Sequence, residues 1–392
     1  MSVPETEVLS QLVARVFRIE DVTSMDPVKG TLLRYRGALL TEDSVAAFDQ
    51  LSESLSQYSL TPLFRIEEGR QVIYIAPKQP EPDKEKASTN IILFVLTVFS
   101  VMLAGAQPEG PIPQDTLGQL VTLAKSIFTG WPFAVSLLGI LLAHEFGHYF
   151  MSRYHKTPAT LPYFIPFPFS PLGTMGAAIL LRGTPKNKRV LFDIGVAGPL
   201  AGLIVAIPVL IYGLHLSSLG PIEPSPNGYI EGNSLMYLLA KFLVFGKMLP
   251  APVEPQGLLY WVKYFFTGHP VPFGGTDVFI DPVAFAGWGG LLVTGLNLIP
   301  AGTLDGGHVV YGLFGEKASK AFPYIIGILL ALGFVWSGWW LWAALLFWLG
   351  RVHAQPLDQI TTLDPTRKAL AILMLIIFLL VFMPVPMVLL TP

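Results

Sequence analysis

The chain has 392 residues, of which 52% are hydrophobic and only 13% are charged, and its formal net charge at pH 7 is −2. Soluble domains carry about 25% charged residues, so this composition predicts a membrane protein with a soluble part. The near-neutral charge predicts no nucleic-acid partner. Because the chain has no cysteine, disulfides and thiolate metal ligands are excluded, and any metal must be held by histidine and carboxylate.

Residues 1–77 predict a small soluble α+β domain. Its predicted elements are a helix over residues 8–20, a strand over 31–40, a helix capped by Thr41, and strands over 63–66 and 72–75. The acidic, polar first residues resemble neither a signal peptide nor a transit peptide, so we expect a cytoplasmic N-terminus. The domain carries no catalytic constellation, and we expect a regulatory or interaction role with an unidentified partner.

A charged, proline-rich linker over residues 78–89 leads into a predicted membrane domain over 90–392. We expect a mostly α-helical polytopic fold with about six to eight spans of roughly 20 residues each. Spans are predicted at residues 90–106, 132–152, 190–214, 283–299 and 369–390, with a loop over 110–130. Residues 322–349 are too long for one upright helix and predict two short spans that turn near Ser337 and Gly338, with a single tilted span as the alternative.

The densest basic residues of the membrane half lie between the second and third predicted spans, over residues 153–189. The positive-inside rule places this segment, like the N-terminus, on the cytoplasmic side of the bilayer. Residues 215–282 then form a long non-cytoplasmic insertion, in which two apolar stretches at 234–246 and 257–267 are too short to span and predict interfacial helices.

Two histidines separated by four positions, His144 and His148, lie in the second predicted span with Glu145 directly after the first. On a helix, positions i and i+4 share one face, so both imidazoles can bind one zinc ion while Glu145 reaches a water beside it. By chance the motif occurs in on the order of one chain in a hundred of this length, and on a soluble helix such a pair is often a surface feature. At membrane depth, however, ionisable side chains are costly and indicate function.

A catalytic zinc site needs a third protein ligand and an open position. An extended histidine motif would need histidine where Tyr154 stands, and no glutamate occurs between Glu145 and Glu223. Asp305, just past an apolar span, is the remaining candidate, and Pro300 with its neighbouring glycines allows the helix to break there. His308 is a weaker candidate ligand, and Asp193 is expected to pack at an interface rather than at the site.

These motifs resemble those of the site-2 protease family of intramembrane zinc metalloproteases. His-Glu-x-x-His matches at residues 144–148, and Asn-x-x-Pro-x-x-x-Leu-Asp-Gly matches within residues 297–308. The Gly-Pro-Leu-Ala-Gly run at 198–202 looks like the third core helix of the family. No PDZ-like domain separates the motifs. The N-terminal domain and residues 351–358 are similar to the cyanobacterial and chloroplast branch.

The resemblance implies a zinc metalloendopeptidase that cleaves peptide bonds within or near transmembrane segments of membrane proteins, membrane-anchored regulators among them. It implies a multi-pass protein of a bacterial inner or thylakoid membrane. His144, His148 and Asp305 would be the zinc ligands and Glu145 the general base. Asn297 and Pro300 would position the substrate, although satisfying a broken helix end is an equal alternative for Asn297.

A metal transporter and an inactive scaffold are the two alternative functions. A metal transporter would carry ionisable residues along several spans, whereas the membrane carboxylates here are essentially Glu145, Asp193 and Asp305. An inactive scaffold that keeps the motif is the second alternative. Residues 173–181 predict an extended, apolar segment near the site, which would either pair with unwound substrate as an added strand or serve as a plain structural hairpin.

Overall fold

The computed structural model describes residues 5–25, 31–78, 80, 86–108, 115–225, 228–349 and 355–390, which form a mostly helical molecule with small sheets. The helices are α1 (Thr6–Ala14), α2 (Ser44–Ser56), α3 (Ser88–Ala104), α4 (Thr116–Ser126), α5 (Trp131–Tyr154), α6 (Lys188–Leu216), α7 (Leu235–Phe245), α8 (Leu258–Thr267), α9 (Pro282–Asn297), α10 (Asp305–Phe314), α11 (Phe322–Leu332), α12 (Gly338–Leu349) and α13 (Pro365–Val381). The strands are β1 (Phe17–Ser24), β2 (Leu33–Leu39), β3 (Leu60–Glu67), β4 (Arg70–Pro77), β5 (Tyr163–Pro166), β6 (Thr174–Ala178), β7 (Ser218–Pro221), β8 (Tyr229–Glu231), β9 (Thr276–Phe279) and β10 (Met387–Leu389).

The N-terminal residues form an antiparallel sheet in the order β1-β2-β4-β3, and α1 and α2 share its apolar core. The predicted helix over residues 8–20 is wrong beyond Ala14, because Phe17 begins a strand that pairs with Leu39 of β2. Thr41 is also wrong as the cap of α2. Asp43 takes that place, since its side chain accepts hydrogen bonds of 3.1 Å from the backbone amides at the start of the helix.

A short segment ahead of α13, residues 356–361, ties the N-terminal sheet to the membrane half. The amide of Phe64 in β3 donates to the carbonyl of Leu357 (2.9 Å), and the amide of Gln359 donates back to the carbonyl of Phe64 (3.0 Å). On its other side the segment pairs with the loop before α6, where the amide of Asp358 donates to the carbonyl of Lys186 (2.8 Å). The sheet edge is therefore covered, and the N-terminal domain rests beside the start of α6.

The central helices α5, α6 and α9 pack against one another and carry the sequence motifs. Among the described residues, two helical stretches are long and apolar enough to cross a membrane, Thr116–Tyr154 and Lys188–Leu216. At about 1.5 Å per residue, the 29 residues of α6 extend roughly 43 Å. The predicted loop over 110–130 is wrong at α4, whose first turn is capped by Asp115 through a 2.7 Å bond from the amide of Gly118. The number of spans stays a prediction.

The hairpin formed by β5 and β6 lies along α3. Near the start of α3, the side-chain amide of Asn90 donates to the carbonyl of Leu161 (2.9 Å), and further along, the hydroxyl of Ser100 donates to the carbonyl of Gly173 (2.6 Å). The ten residues from 90 to 100 cover roughly 15 Å of helix. The hairpin, predicted as extended chain near the site, thus reaches deep along the helical body.

Residues 322–349 form two helices, α11 and α12, and the second begins at Gly338, where the sequence predicts a turn; the two short spans stay a prediction. The last predicted span ends early, at Val381, because Pro384 and Pro386 cannot continue a helix. The chain instead ends in β10, which pairs with β8.

We call residues 217–225, 228–281 and 382–390 the distal cap, since they lie at the opposite end of α6 from the N-terminal domain. In the cap, β7 pairs with β9 and β8 pairs with β10. The two helices predicted there are present as α7 and α8.

Candidate metal centre

Helix α5 places the two motif histidines one turn apart on its buried face. The side chains of His144 and His148 are almost fully enclosed, and their Nε2 atoms lie 3.1 Å apart. Pro132 stands in the first turn of α5, where its missing amide hydrogen removes no helical hydrogen bond. Helical geometry alone therefore places the two histidines on the same face of α5.

Small residues on α6 allow that helix to lie directly against the histidines. A Cβ atom at Gly198 would overlap the imidazole of His148, and one at Gly202 would lie 3.2 Å from Cβ of His144. The carbonyl of Ile194 accepts a 2.7 Å hydrogen bond from Nδ1 of His148. This bond fixes the tautomer, so that Nε2 of His148 keeps its lone pair and faces the other donors.

Asp305, the first residue of α10, completes the group. Its Oδ2 lies 3.2 Å from Nε2 of His144, and its Oδ1 lies 3.3 Å from Nε2 of His148. Gly306 and Gly307 make this approach possible, because a Cβ at either position would overlap the backbone of the loop that joins α9 to α10. The structure thus brings together the three residues that the sequence singled out as ligands.

The spacing of these three donors fits a zinc ion. Tetrahedral zinc holds nitrogen and oxygen ligands at about 2.0–2.1 Å, which separates neighbouring ligand atoms by about 3.3 Å. The observed separations are 3.1 Å between the two imidazole nitrogens, and 3.2 and 3.3 Å from these nitrogens to one or the other carboxylate oxygen of Asp305. Two imidazoles and one carboxylate also leave one tetrahedral position open, as a hydrolytic site requires.

Glu145 lies beside this group, buried on α5, and the backbone amide of Ile179 faces its carboxylate. Ile179 directly follows β6, so the hairpin orients the acid next to the donor group. The sequence places Ile179 in an extended segment near the motif but does not predict that its amide faces Glu145. No pattern of side chains predicts a contact made by a backbone amide.

The other predicted residues fall into two sets. The side-chain nitrogen of Asn297 lies 3.3 Å from Nε2 of His144, so it faces the donors, whereas Pro300 lies in the loop between α9 and α10. Asp193 does not reach the site. Its carboxylate accepts hydrogen bonds from Arg367 at 2.6 and 2.7 Å and pairs with His155 at 2.9 Å, as its predicted packing role requires.

His308 is not part of the donor group formed by the described residues. Its side chain packs against α6, where a Cβ added to Gly195 would lie 2.7 Å from Cβ of His308. The three-ligand arrangement therefore stands without it.

The sequence profile of peptidase family M50 matches residues 132–335, which cover both motifs and the helices between them. The chain belongs to peptidase family M50. The chloroplast protein EGY1 of Arabidopsis thaliana, described as a probable zinc metalloprotease, is 29% identical over 310 residues, covering 75% of this chain and 52% of its own. EGY2 of Oryza sativa subsp. indica, described in the same words, is 27% identical over 380 residues. The match covers 93% of this chain and 63% of the length of EGY2.

The chain thus spans between half and two thirds of the length of these M50 relatives. No solved structure is similar enough to the chain to count as a significant match.

Proposed function

We propose that the protein is a zinc-dependent intramembrane endopeptidase that hydrolyses peptide bonds within or near transmembrane segments of membrane proteins. The observation that carries the proposal is the buried donor group of His144, His148 and Asp305, at zinc spacing, with Glu145 beside it. Both histidines and Glu145 sit on a helix that is long and apolar enough to cross a membrane, in a chain of family M50.

Each residue of the site then has a chemical task. When bound, zinc supplies an acidified water and polarises the scissile carbonyl. Glu145 takes the proton of that water on its carboxylate and passes it to the leaving amine. The amide of Ile179 holds the carboxylate in place, and the amide of Asn297 is positioned to donate to the substrate beside His144.

The free edge of β6 is the proposed binding surface for unwound substrate. A helical substrate hides its carbonyls, and freed backbone groups in lipid need new partners. Among the described residues, only β5 pairs with β6, so one edge of β6 is open to an added strand within reach of Glu145.

Proline at Ala177 tests this role, because it removes a backbone donor on the same edge as the amide of Ile179, two residues further along. We expect Ala177→Pro to keep its zinc and its fold while cleaving a test substrate at least about tenfold more slowly, a loss equal to one good hydrogen bond. Ala177→Gly keeps the amide and is the matched control. Equal rates for a folded Ala177→Pro protein and the control would leave the hairpin a structural element only.

The proposed arrangement in the membrane follows the basic residues. The N-terminal domain (residues 1–77), the linker (78–89) and the segment 153–189 would face the cytoplasm, and the distal cap would face the other side of a bacterial or thylakoid-type membrane. The chain has no cysteine, so Ser225→Cys in the cap provides a unique label. Labelling of residue 225 from the cytoplasmic side alone would reverse this orientation.

The direct test of the function combines metal analysis with cleavage of a single-span substrate by the purified protein in detergent or vesicles. We expect about one zinc per chain, the stoichiometry of a three-ligand site with an open position, and a cut within or next to the span. Zinc without cleavage of any single-span protein would favour an inactive scaffold. Zinc transport across vesicles without cleavage would favour a transporter.

A further inference from the structure

The distal cap contains a second buried cluster of ionisable side chains, which the proposed reaction does not use. The hydroxyl of Tyr237 donates to the carboxylate of Glu231 (2.6 Å). Nζ of Lys241 lies 3.5 Å from the carboxylate of Asp277 and 4.5 Å from the centre of the Tyr237 ring. These residues come from β8, α7 and β9, and all four are buried.

The charges of this cluster do not balance. Glu231 and Asp277 supply two carboxylates, whereas Lys241 supplies one ammonium group, and its Nζ makes no hydrogen bond. The charged side chains that act on Glu231 most strongly are these same two neighbours. A buried carboxylate without a counter-charge is costly, so the cluster is one positive charge short.

Glu231 also lines a cavity of about 550 Å³ at the edge of the cap. It is the one charged residue among the described residues that line this cavity, and four aromatic residues lie in the same wall. The rings belong to Phe133, Phe169, Tyr229 and Phe285. An acidic residue and aromatic rings in the wall of one cavity form a favourable environment for a cation.

The hairpin joins this cavity to the metal centre. Ile179 at the end of β6 touches Glu145, while residues 168–171 at the turn between β5 and β6 line the cavity. The extended chain from Thr174 to Ile179 covers five steps of about 3.3 Å, roughly 17 Å, and the turn residues that line the cavity lie beyond Thr174. A strand laid along β6 from the scissile bond therefore needs more than five residues to reach the cavity.

We propose that this cavity is a subsite for a lysine or arginine side chain of the substrate, located about six to nine residues from the cleaved bond on the side towards the distal cap. The proposal rests on the proposed function, because it takes the occupant to be the substrate strand beside β6. The cationic side chain would lie between the aromatic rings and supply the positive charge that Glu231 lacks.

The test uses the full-length protein and single-span peptides that differ at one residue, with the cleaved bond mapped by mass spectrometry. Lysine, glutamine or glutamate is placed six, seven, eight or nine residues from the cleaved bond, on the side towards the distal cap. The same residues are placed at the same distances on the opposite side of the bond as a control. We expect cleavage of the best-placed lysine peptide to exceed that of its glutamine counterpart about tenfold, the effect of one desolvated charge contact. The glutamate peptide should be the slowest.

Two variants of the protein assign the effect to the cavity. Glu231→Gln keeps the acceptor for Tyr237 but removes the charge, and it should bring the lysine-to-glutamine ratio close to one. Phe169→Ala removes an aromatic wall from a side chain that is 88% exposed, so folding is spared, and it should lower the ratio in part. Glu223→Gln, the same change at an exposed position of the cap, should leave the ratio unchanged.

Binding of the same peptides, measured by fluorescence anisotropy, separates the subsite from the reaction. If no peptide is cleaved, the proposed function fails, and a lysine preference in binding that Glu231→Gln abolishes still supports the cation subsite. Equal binding and cleavage of lysine and glutamine peptides would overturn the subsite. The subsite would also be overturned if Glu231→Gln changed cleavage only in vesicles of choline lipid and by the same factor for every peptide. The occupant of the cavity would then be a lipid headgroup.

Discussion

The protein buries two clusters of ionisable side chains, and the free-energy cost of burying their charges is offset in a different way in each. At the metal centre, two imidazoles and Asp305 aim their donor atoms at one point, and no cationic side chain of the described residues enters the group. In the distal cap, the chain brings its own cation, Lys241, to Asp277. The first arrangement presents its donor atoms to an external cation, whereas in the second the fold supplies a cation for one of the two carboxylates.

The largest expected effect is at the metal centre, where zinc binding and cleavage should respond differently to the loss of a ligand and to the loss of the base. Glu145→Gln should keep its zinc, because no ligand is lost, while cleavage should fall by about 10²–10⁴-fold with the loss of the general base. Asp305→Ala should lose much of both, since a ligand is removed. Zinc content and initial cleavage rate, measured on the same preparations, check this prediction.

Asp193→Asn is the matched control for these variants, because Asp193 is a partly buried carboxylate of the same helical body that pairs with Arg367 away from the donors. It should retain zinc. A Glu145→Gln protein that cleaves at the wild-type rate would contradict the assignment of the base.

The next effect tests the second cluster. Lys241→Met keeps the size and the apolar stem but leaves Asp277 and Glu231 buried without a cation, which should cost about 3–5 kcal/mol of stability. Zinc content should not change, because the cap lies at the far end of α6 from the N-terminal domain and contributes no donor. Chemical unfolding in detergent measures the loss.

Lys263→Met, an exposed lysine on the neighbouring helix α8, is the control and should change the stability by less than about 0.5 kcal/mol. If the two lysine variants unfold alike, then Lys241 does not compensate the cap carboxylates, and the contrast between the two clusters disappears.

The first cluster could be predicted from the sequence and the second could not. His144 and His148 share a face by helical spacing, and Asp305 follows from the ligand count that a catalytic zinc requires. Glu231 and Asp277, by contrast, lie in short strands separated by two helices, and no spacing rule brings them to Lys241. Their encounter depends on tertiary packing alone.

The same distinction explains the errors in the predicted fold. Long apolar helices such as α5 and α6 were predicted close to their observed ends, because their lipid-length apolar runs are local signals. The strand at Phe17 was missed, since its pairing with Leu39 lies beyond the range of helical periodicity. The strand β10 was also missed, because it exists only through its pairing with β8 in the cap.

The smallest expected effect is a pH dependence of stability that belongs to the cap. Burial, together with the neighbouring carboxylate of Asp277, raises the pKa of Glu231 from 4.5 to about 7, while Lys241 and the hydroxyl of Tyr237 oppose the rise. Between these two pKa values the folded protein holds a proton that the unfolded chain has released. The contribution of Glu231 to stability is therefore greatest below about pH 4.5 and is lost as the pH rises through about 7.

We expect the free energy of unfolding of the wild-type protein to fall by no more than about 3 kcal/mol between pH 5 and pH 8 through this group. Glu231→Gln cannot titrate and should show a flatter profile over the same range, whereas Glu223→Gln, exposed on the same cap, should follow the wild type. Unfolding curves at a series of pH values give the comparison. An identical slope in the wild type and in Glu231→Gln would mean that Glu231 stays ionised in the folded protein, and the cap would then be as dependent on an added cation as the metal centre.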